Sequence, residues 1–387
     1  MLVPKTLRLT KQLSVSTYRS FSTTKKTCFQ ELDKLHQGHH YSSIPNRYLL
    51  EMEGPDSSKF LQGLITNHMP LISAGGDGFY SAFLTPQGRM LYDIFIYPVN
   101  VGENFPHPKY IIDAPLIPGN PILKHLKRYI LRSKVKIKDV SEDYQLYHIW
   151  GNKPHKPSSL PSTSSSIVEP NVPTGTLIKK NNRLTDIGCE DPRVHGFGYR
   201  AVLSKDQDIS TILHHNDQYT ELSSSEYTIR RILHGIPEGT DDIWPEQSLP
   251  LESNLDYMNG VDFRKGCYIG QELTIRTYHT GVVRKRIVPI QIYKDNESAP
   301  TIQSVDRQIT LAPPIQPQTD IKLNDGSSKR SAGKIGSTIH NIGLALMRLE
   351  QVQKCEQGDP ISFRIPDTNY LIRPFLPSWW SFEDEDK

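Results

Sequence analysis

The chain has 387 residues, of which 36% are hydrophobic, a mean hydropathy of −0.49 and a net charge of +3. That length supports two or three compact units, and no apolar run approaches the ~20 residues of a membrane-crossing helix, which excludes a transmembrane protein. Six of the 45 bases and none of the 42 acids lie in residues 1–30, so the remainder is net −3 and lacks the basic surplus of a nucleic-acid-binding domain.

Residues 1–27 combine Lys5, Arg8, Lys11, Arg19, Lys25 and Lys26 with serines, threonines and scattered leucines. An acid-free, amphipathic, hydroxyl-rich stretch reads as a mitochondrial transit peptide, with cleavage expected between Arg19 and Lys26; the alternative is a plain basic tail. A secretory signal fits poorly, because no continuous apolar h-region is present.

After an exposed segment, Arg47–Met52 reads as a strand, and Gly54-Pro55-Asp56 turns the chain. Phe60, Leu61, Leu64 and Ile65 recur at helical spacing, predicting a helix over Ser57–Asn67. Phe79–Leu84 and Met90–Pro98 flank Thr85-Pro86-Gln87-Gly88-Arg89, which predicts a β-hairpin. Pro121–Arg132 is a second helix, with Asn120 as cap and Pro121 at its first position, and Val135 and Ile137 then alternate with lysines as an exposed strand. The Pro/Ser-rich stretch 151–182 cannot build a core and is a loop; a second interruption spans 294–334. Short strands at 335–339, 342–349 and 361–365 complete a small β-domain, and no internal repeat is present.

Cys28, Cys189, Cys267 and Cys355 are far apart, with no CxxC pair, so the chain by itself is a poor holder of a cluster and carries no disulfide framework. Cys267 is the cysteine in the densest stretch, flanked by Gly266 and Gly270 and followed by a helix expected over Gln271–Tyr278. Arg264, Lys265 and that helix's N-terminus would favour its thiolate, as a nucleophile or soft-metal ligand; an inert thiol packed in a tight turn fits the same residues. His39-His40 and His214-His215 are adjacent pairs, which do not share a helix face, and read as exposed residues.

Lys265-Gly-Cys-Tyr-Ile-Gly-Gln-Glu272 resembles the signature of the mitochondrial iron–sulfur cluster assembly factors of the YgfZ/GcvT family, relatives of the folate-binding glycine-cleavage T-proteins. Phe60-Leu-Gln-Gly-Leu-Ile-Thr-Asn67, Thr85-Pro-Gln-Gly-Arg-Met-Leu-Tyr-Asp93, Asp191-Pro-Arg193, Gly198-Tyr-Arg200, Gly235-Ile-Pro-Glu-Gly239, Leu249-Pro-Leu-Glu252 and Asn254 follow in the family's order over about 44–290. The resemblance implies an α+β, T-protein-like fold: two intertwined α/β domains around a central folate cavity, over residues 28–285, plus a C-terminal β-barrel over 286–387. It implies that Cys267 is the working thiol, in a loop shaped by Lys265, Gly266, Gly270, Gln271 and Glu272. Tyr227 stands about where bacterial relatives have a pterin-contacting tryptophan, and the other such tryptophan falls near Arg47. Asn67, Asp93, Arg231, Lys265, Gln271 and Tyr227 are then the candidate cofactor contacts, with Arg230 and Arg231 facing either the folate glutamate or surface ion pairs.

Three functions follow from that resemblance. In the first, Cys267 shares a transient iron–sulfur cluster with an A-type scaffold partner in the mitochondrial matrix, serving client [4Fe–4S] enzymes such as aconitase and lipoate synthase, with tetrahydrofolate as cofactor. The second is a folate-dependent aminomethyltransferase, whose corresponding loop typically lacks the cysteine. The third is a folate-binding scaffold without chemistry. The favoured expectation is the assembly factor, with no nucleic-acid or membrane partner.

Overall fold

The computed structural model describes residues 38–73, 75–99, 107–151, 184–213, 219–326, 328 and 330–380. The expected transit peptide, Cys28, nearly all of the Pro/Ser-rich loop and the His214-His215 pair lie outside the described residues.

The first half runs β1 (His39–Ser43), β2 (Arg47–Glu53), α1 (Ser57–Gln62), β3 (Phe79–Leu84), β4 (Met90–Pro98), β5 (Lys109–Pro115), α2 (Pro121–Ile130), β6 (Lys136–Asp139) and β7 (Tyr144–Gly151). It continues with β8 (Ile187–Glu190), β9 (Tyr199–Ser204), α3 (Ile209–Leu213), β10 (Tyr219–Glu221), α4 (Ser224–Leu233) and α5 (Gln271–Thr280). The last part holds β11 (Lys285–Lys294), β12 (Asp320–Leu323), β13 (Gly333–Ile339), β14 (Ile342–Arg348), α6 (Leu349–Glu356), β15 (Phe363–Arg364) and β16 (Tyr370–Pro374).

These strands make a sheet of order β3-β4-β5-β2-β6, a second of order β10-β1-β7-β9-β8, and a closed barrel β11-β14-β13-β12-β15-β16. β1 precedes the first sheet in the chain yet pairs within the second, so the two α/β units are intertwined. The hairpin strands β3 and β4 are buried on both faces, which follows from the two-residue period of a strand. Phe79, Phe83, Ile94 and Ile96 join α1 and α2 in one core, while Tyr80, Ala82, Phe95 and Tyr97 join Leu146, Ile187 and Val202 of the second sheet in another.

Three expectations change. The helix foreseen over Ser57–Asn67 stops at Gln62, because Ile65 bridges to Phe83 and Thr66 Oγ1 hydrogen-bonds the Gly260 carbonyl at 2.6 Å, contacts that a continued helix would break. The exposed segment before Arg47 contains β1, in which Tyr41 and Ser42 are buried and His39 and His40 are half-buried against Tyr219 and Trp150 rather than exposed. The interruption at 294–334 contains β12, held through its pairing with β13 and β15.

A buried ionic network ties the sheets together. Arg200 on β9 donates to Asp113 on β5 at 2.6 Å, to Glu238 at 3.1 Å and to the Tyr97 hydroxyl at 3.1 Å. Arg193 pairs with Asp191 and Glu238, both at 2.7 Å, and Arg47 on β2 reaches Asp93 at 2.9 Å and also Asp113. Burial alone would raise the Glu238 carboxyl, but Arg193, Arg200, Arg47 and Arg231 hold it well below the usual carboxylate range. Phe95 lies under the Arg200 guanidinium, whose carbon is 4.0 Å from the ring centroid.

Replacing Arg200 by Met leaves two buried carboxylates without this partner, so urea titration should show a loss of about 3–5 kcal/mol. Because the folded-state Glu238 is depressed, its contribution is present above the ordinary carboxylate range and lost as pH falls through its folded value. Arg200→Met raises that folded value, so acid unfolding should begin at a higher pH than in the parent; an unchanged acid midpoint by circular dichroism would contradict the account.

Candidate functional site

The loop 261–270 crosses the chain turn that follows α1 and is pinned to it from both ends. The Asp262 N–H donates to the Thr66 carbonyl at 3.1 Å, and the Ile269 N–H donates to the Gly63 carbonyl at 3.1 Å. Between them, Lys265 Nζ donates to the carbonyls of Gln62, Ile65 and Asn67 at 2.8, 2.7 and 2.8 Å. Three acceptors match the three N–H bonds of an ammonium, which also lies 4.7 Å from the Tyr268 ring centroid. Burial draws the Lys265 ammonium down to about 7, with Asp262 opposing.

Two motifs meet at the start of α5. Gly270 has φ +78° and Gly88, at the β3–β4 hairpin tip, has φ +82°, a region that favours glycine. A Cβ on Gly270 would lie 2.3 Å from the Thr85 carbonyl oxygen, and one on Gly88 would lie 2.8 Å from the Gly270 carbonyl oxygen. The hairpin Thr85–Arg89 and the loop 265–270 are thus packed backbone to backbone. Gln271 closes the loop, its Oε1 accepting from the Tyr268 N–H at 3.2 Å.

Cys267 sits at the apex of this clamped loop and is exposed, whereas Cys189 and Cys355 are buried. Burial raises the Cys189 and Cys355 thiols, which suits inert packing. The three N–H bonds of Lys265 are engaged by backbone carbonyls, so none is left over for a cofactor contact. Among the described residues no group of three or more His, Cys, Asp or Glu side chains could hold a metal ion. One thiolate is therefore what these residues offer a soft metal.

The other candidates fall elsewhere. Tyr227 is fully buried, its hydroxyl donating to Glu238 at 2.7 Å and accepting from Arg200 at 2.9 Å and Arg193 at 3.1 Å. Burial first, then Glu238, lift this phenol to about 12, against the pull of the arginines. Asp93 accepts from Arg47 at 2.9 Å and from the Gly239 N–H at 3.0 Å. Arg231 donates to Asp242 at 2.6 Å and to Ser337 of the barrel at 3.2 Å, so it joins α4 to the barrel. Arg230 is buried too, donating to the Phe197 carbonyl, so the surface ion pairing foreseen for this arginine pair is corrected. Tyr227, Asp93 and Arg231 are engaged with protein partners.

An open cavity of about 710 Å³ lies beside the loop. Asn67, alone among the six cofactor candidates, lines it, together with Asp77, Glu190, Asp262 and Arg264. Asn67 itself is held by the Tyr80 and Asn259 carbonyls at 2.8 and 3.0 Å. Phe263 and Tyr278 stack over the cavity with centroids 3.7 Å apart and planes 14° apart. Neither aromatic stands out in the sequence: Phe263 lies just before the signature Lys265–Glu272, and its partner Tyr278 lies beyond it, within α5.

An α+β body of two intertwined sheets with an appended barrel defines the T-protein-like class. The crystal structure of glycine cleavage system aminomethyltransferase T from Bartonella henselae superposes with a TM-score of 0.58 at 13% identity, covering 89% of this chain and 88% of that one, a likeness of fold. The family model of the CAF17 C-terminal beta-barrel domain matches residues 284–382. A relative from Aspergillus fumigatus is 40% identical over 326 residues, 80% of this chain and 70% of its own. One from Mycosarcoma maydis is 34% identical over 370 residues, 88% of this chain and 84% of its own. Both are named iron–sulfur cluster assembly factor IBA57 homolog, mitochondrial. The chain belongs to that family of mitochondrial iron–sulfur cluster assembly factors.

Lys265→Met keeps the apolar stem and removes the donors, leaving the three carbonyls of Gln62, Ile65 and Asn67 without this partner. Hydrogen exchange should accelerate through 262–269 while the barrel keeps its protection, with a global loss of about 1–3 kcal/mol. Unchanged exchange in the loop would show that Lys265 does not hold it.

Proposed function

We propose that this protein supports the assembly of mitochondrial [4Fe–4S] clusters by presenting Cys267 as one thiolate ligand to a cluster whose remaining ligands belong to an A-type scaffold partner. The observation that carries this is the exposed Cys267 on a loop clamped from both ends, in a chain whose described residues supply no further ligand set. The cluster is cargo: the thiol loses its proton as sulfur binds iron, and the loop, already ordered, gives up little conformational freedom in doing so. The names of the relatives support the role and the mitochondrial setting, and the matrix is where the basic leader would direct the chain. An aminomethyl-transfer role gives Cys267 no task.

Tetrahydrofolate is a second element of the proposal. The Tyr227 position is closed, but the 710 Å³ cavity is within the size range of small-molecule sites, with the Phe263–Tyr278 stack as a flat wall and Asp77, Glu190 and Asp262 to accept from the donor-rich edge of a pterin. Calorimetry should show weak heat with tetrahydrofolate, reduced in Phe263→Ala. No heat and no thermal shift at saturating ligand would remove folate from the account.

Cys267→Ser removes the soft ligand at nearly constant size on an exposed position, so folding and abundance should persist. Cells carrying only this variant should lose aconitase activity and protein lipoylation while [2Fe–2S] proteins stay active, and anaerobic co-purification with the A-type partner should lose its cluster absorption. Normal aconitase and lipoylation at normal abundance would overturn the assignment.

A further inference from the structure

The body of the chain is net acidic, yet residues 121–138 hold Lys124, Lys127, Arg128, Arg132, Lys134, Lys136 and Lys138 and no acid. On α2 the spacing separates them from the core. Ile122 and Leu126 are buried, whereas Lys124, Lys127 and Arg128 stand at i, i+3 and i+4 on one outward stripe and Leu131 follows directly after the helix ends; all four are exposed. Among the described residues no ion pair joins Lys124, Lys127, Arg128 or Arg132 to a carboxylate, although Lys138 pairs with Asp143.

Leu131, at the end of that stripe, is 88% exposed and has φ +44°, a conformation that costs a leucine energy. It borders a cavity of about 760 Å³ with Phe60 and Tyr129 as apolar floor and Lys59 and Arg132 among its walls. The one acid there, Asp56, accepts from the Lys134 N–H at 2.6 Å. A bare leucine is thus thrust outward among four or more bases on long flexible stems.

We infer that the outer stripe of α2 and the Leu131 turn form a peripheral docking surface for an anionic membrane, against the expectation from the sequence of no membrane partner. Charge complementarity selects phosphate-bearing headgroups, towards which lysines and arginines extend while their stems and a protruding leucine enter the acyl boundary. An acidic protein partner would match the charge, but a single leucine does not supply the apolar centre of a specific protein interface. A bilayer needs no matching shape and accepts one wedge. The surface is independent of Cys267, so its failure would leave the cluster role standing.

The test uses the full chain with Cys28 and Cys267 changed to Ser and a polarity-sensitive dye on Leu131→Cys, because the basic leader could bind vesicles by itself. On phosphatidylcholine vesicles containing cardiolipin the dye should shift to the blue, and on pure phosphatidylcholine it should not. Salt should reverse the shift. Lys127→Ala with Arg128→Ala should weaken the vesicle partition read from the shift of this dye by about 25-fold, at about fivefold per neutralised base, with an unchanged circular dichroism spectrum. A dye that stays water-like while vesicles bind overturns the proposal, as does a dye shift that needs no more lipid in the double variant than in the parent. Capture on a polyglutamate matrix through the same bases, without a dye shift on vesicles, would instead assign the surface to an acidic protein.

Discussion

Arg200, held between Asp113 and Glu238, is the constraint around which this molecule is arranged. Its guanidinium and both carboxylates are removed from water, so each tolerates burial only where its partners meet it within hydrogen-bond distance. The three groups come from β9, from β5 and from the segment after α4, so satisfying them sets the two sheets and that segment in one relative position. Tyr227 and Arg193 fill the remaining contacts, and Arg231 carries the same logic outward to the barrel through Asp242 and Ser337. The Arg200 network thus fills the junction between the sheets with the chain's own side chains.

That fixed arrangement decides what the signature loop can do. With the first sheet in place, the turn after α1 offers the carbonyls of Gln62, Ile65 and Asn67 in one small ring, and Lys265 is the cation that answers it. The hairpin tip and Gly270 approach so closely that neither admits a Cβ. Cys267 protrudes because the residues on either side of it are tied down. A thiol held in this way is already ordered, which would lower the entropic cost of the cluster sharing proposed for it. The stripe on α2 has a different origin: one face of an amphipathic helix satisfies the core, and the chemistry of the other is left to whatever meets it.

Much of the fold was legible where local patterning and tertiary structure agree. The β3–β4 hairpin, α2 with Pro121 at its start, α5 after Gly270 and the barrel strands β13, β14 and β15 show their period and their punctuation in the sequence. The misses share one cause. β1, β12 and β16 are short, and each is a strand because of the neighbour it pairs with: β1 with β7, β12 with β13, β16 with β11. The truncated α1 failed in the opposite sense, since its helical spacing continues to Ile65 but the backbone there is claimed by Phe83 and Gly260.

By itself the sequence determined many of the sheet-forming and helix-forming segments, through their periods and punctuation, and its resemblance to the T-protein-like family carried the α+β class; the residues around Cys267 fitted a ligand and an inert packed thiol alike. It could not determine the partners of buried charges. Arg230, Arg231, Lys265 and Tyr227 look like surface or ligand-facing groups when read along the chain, and each is committed to protein atoms in the fold. A polar side chain's environment is set by residues far away in sequence: Glu238 lies 45 residues from Arg193, and the carbonyls that receive Lys265 about 200. Only the tertiary structure brings such groups together, and desolvation then makes each pairing obligatory.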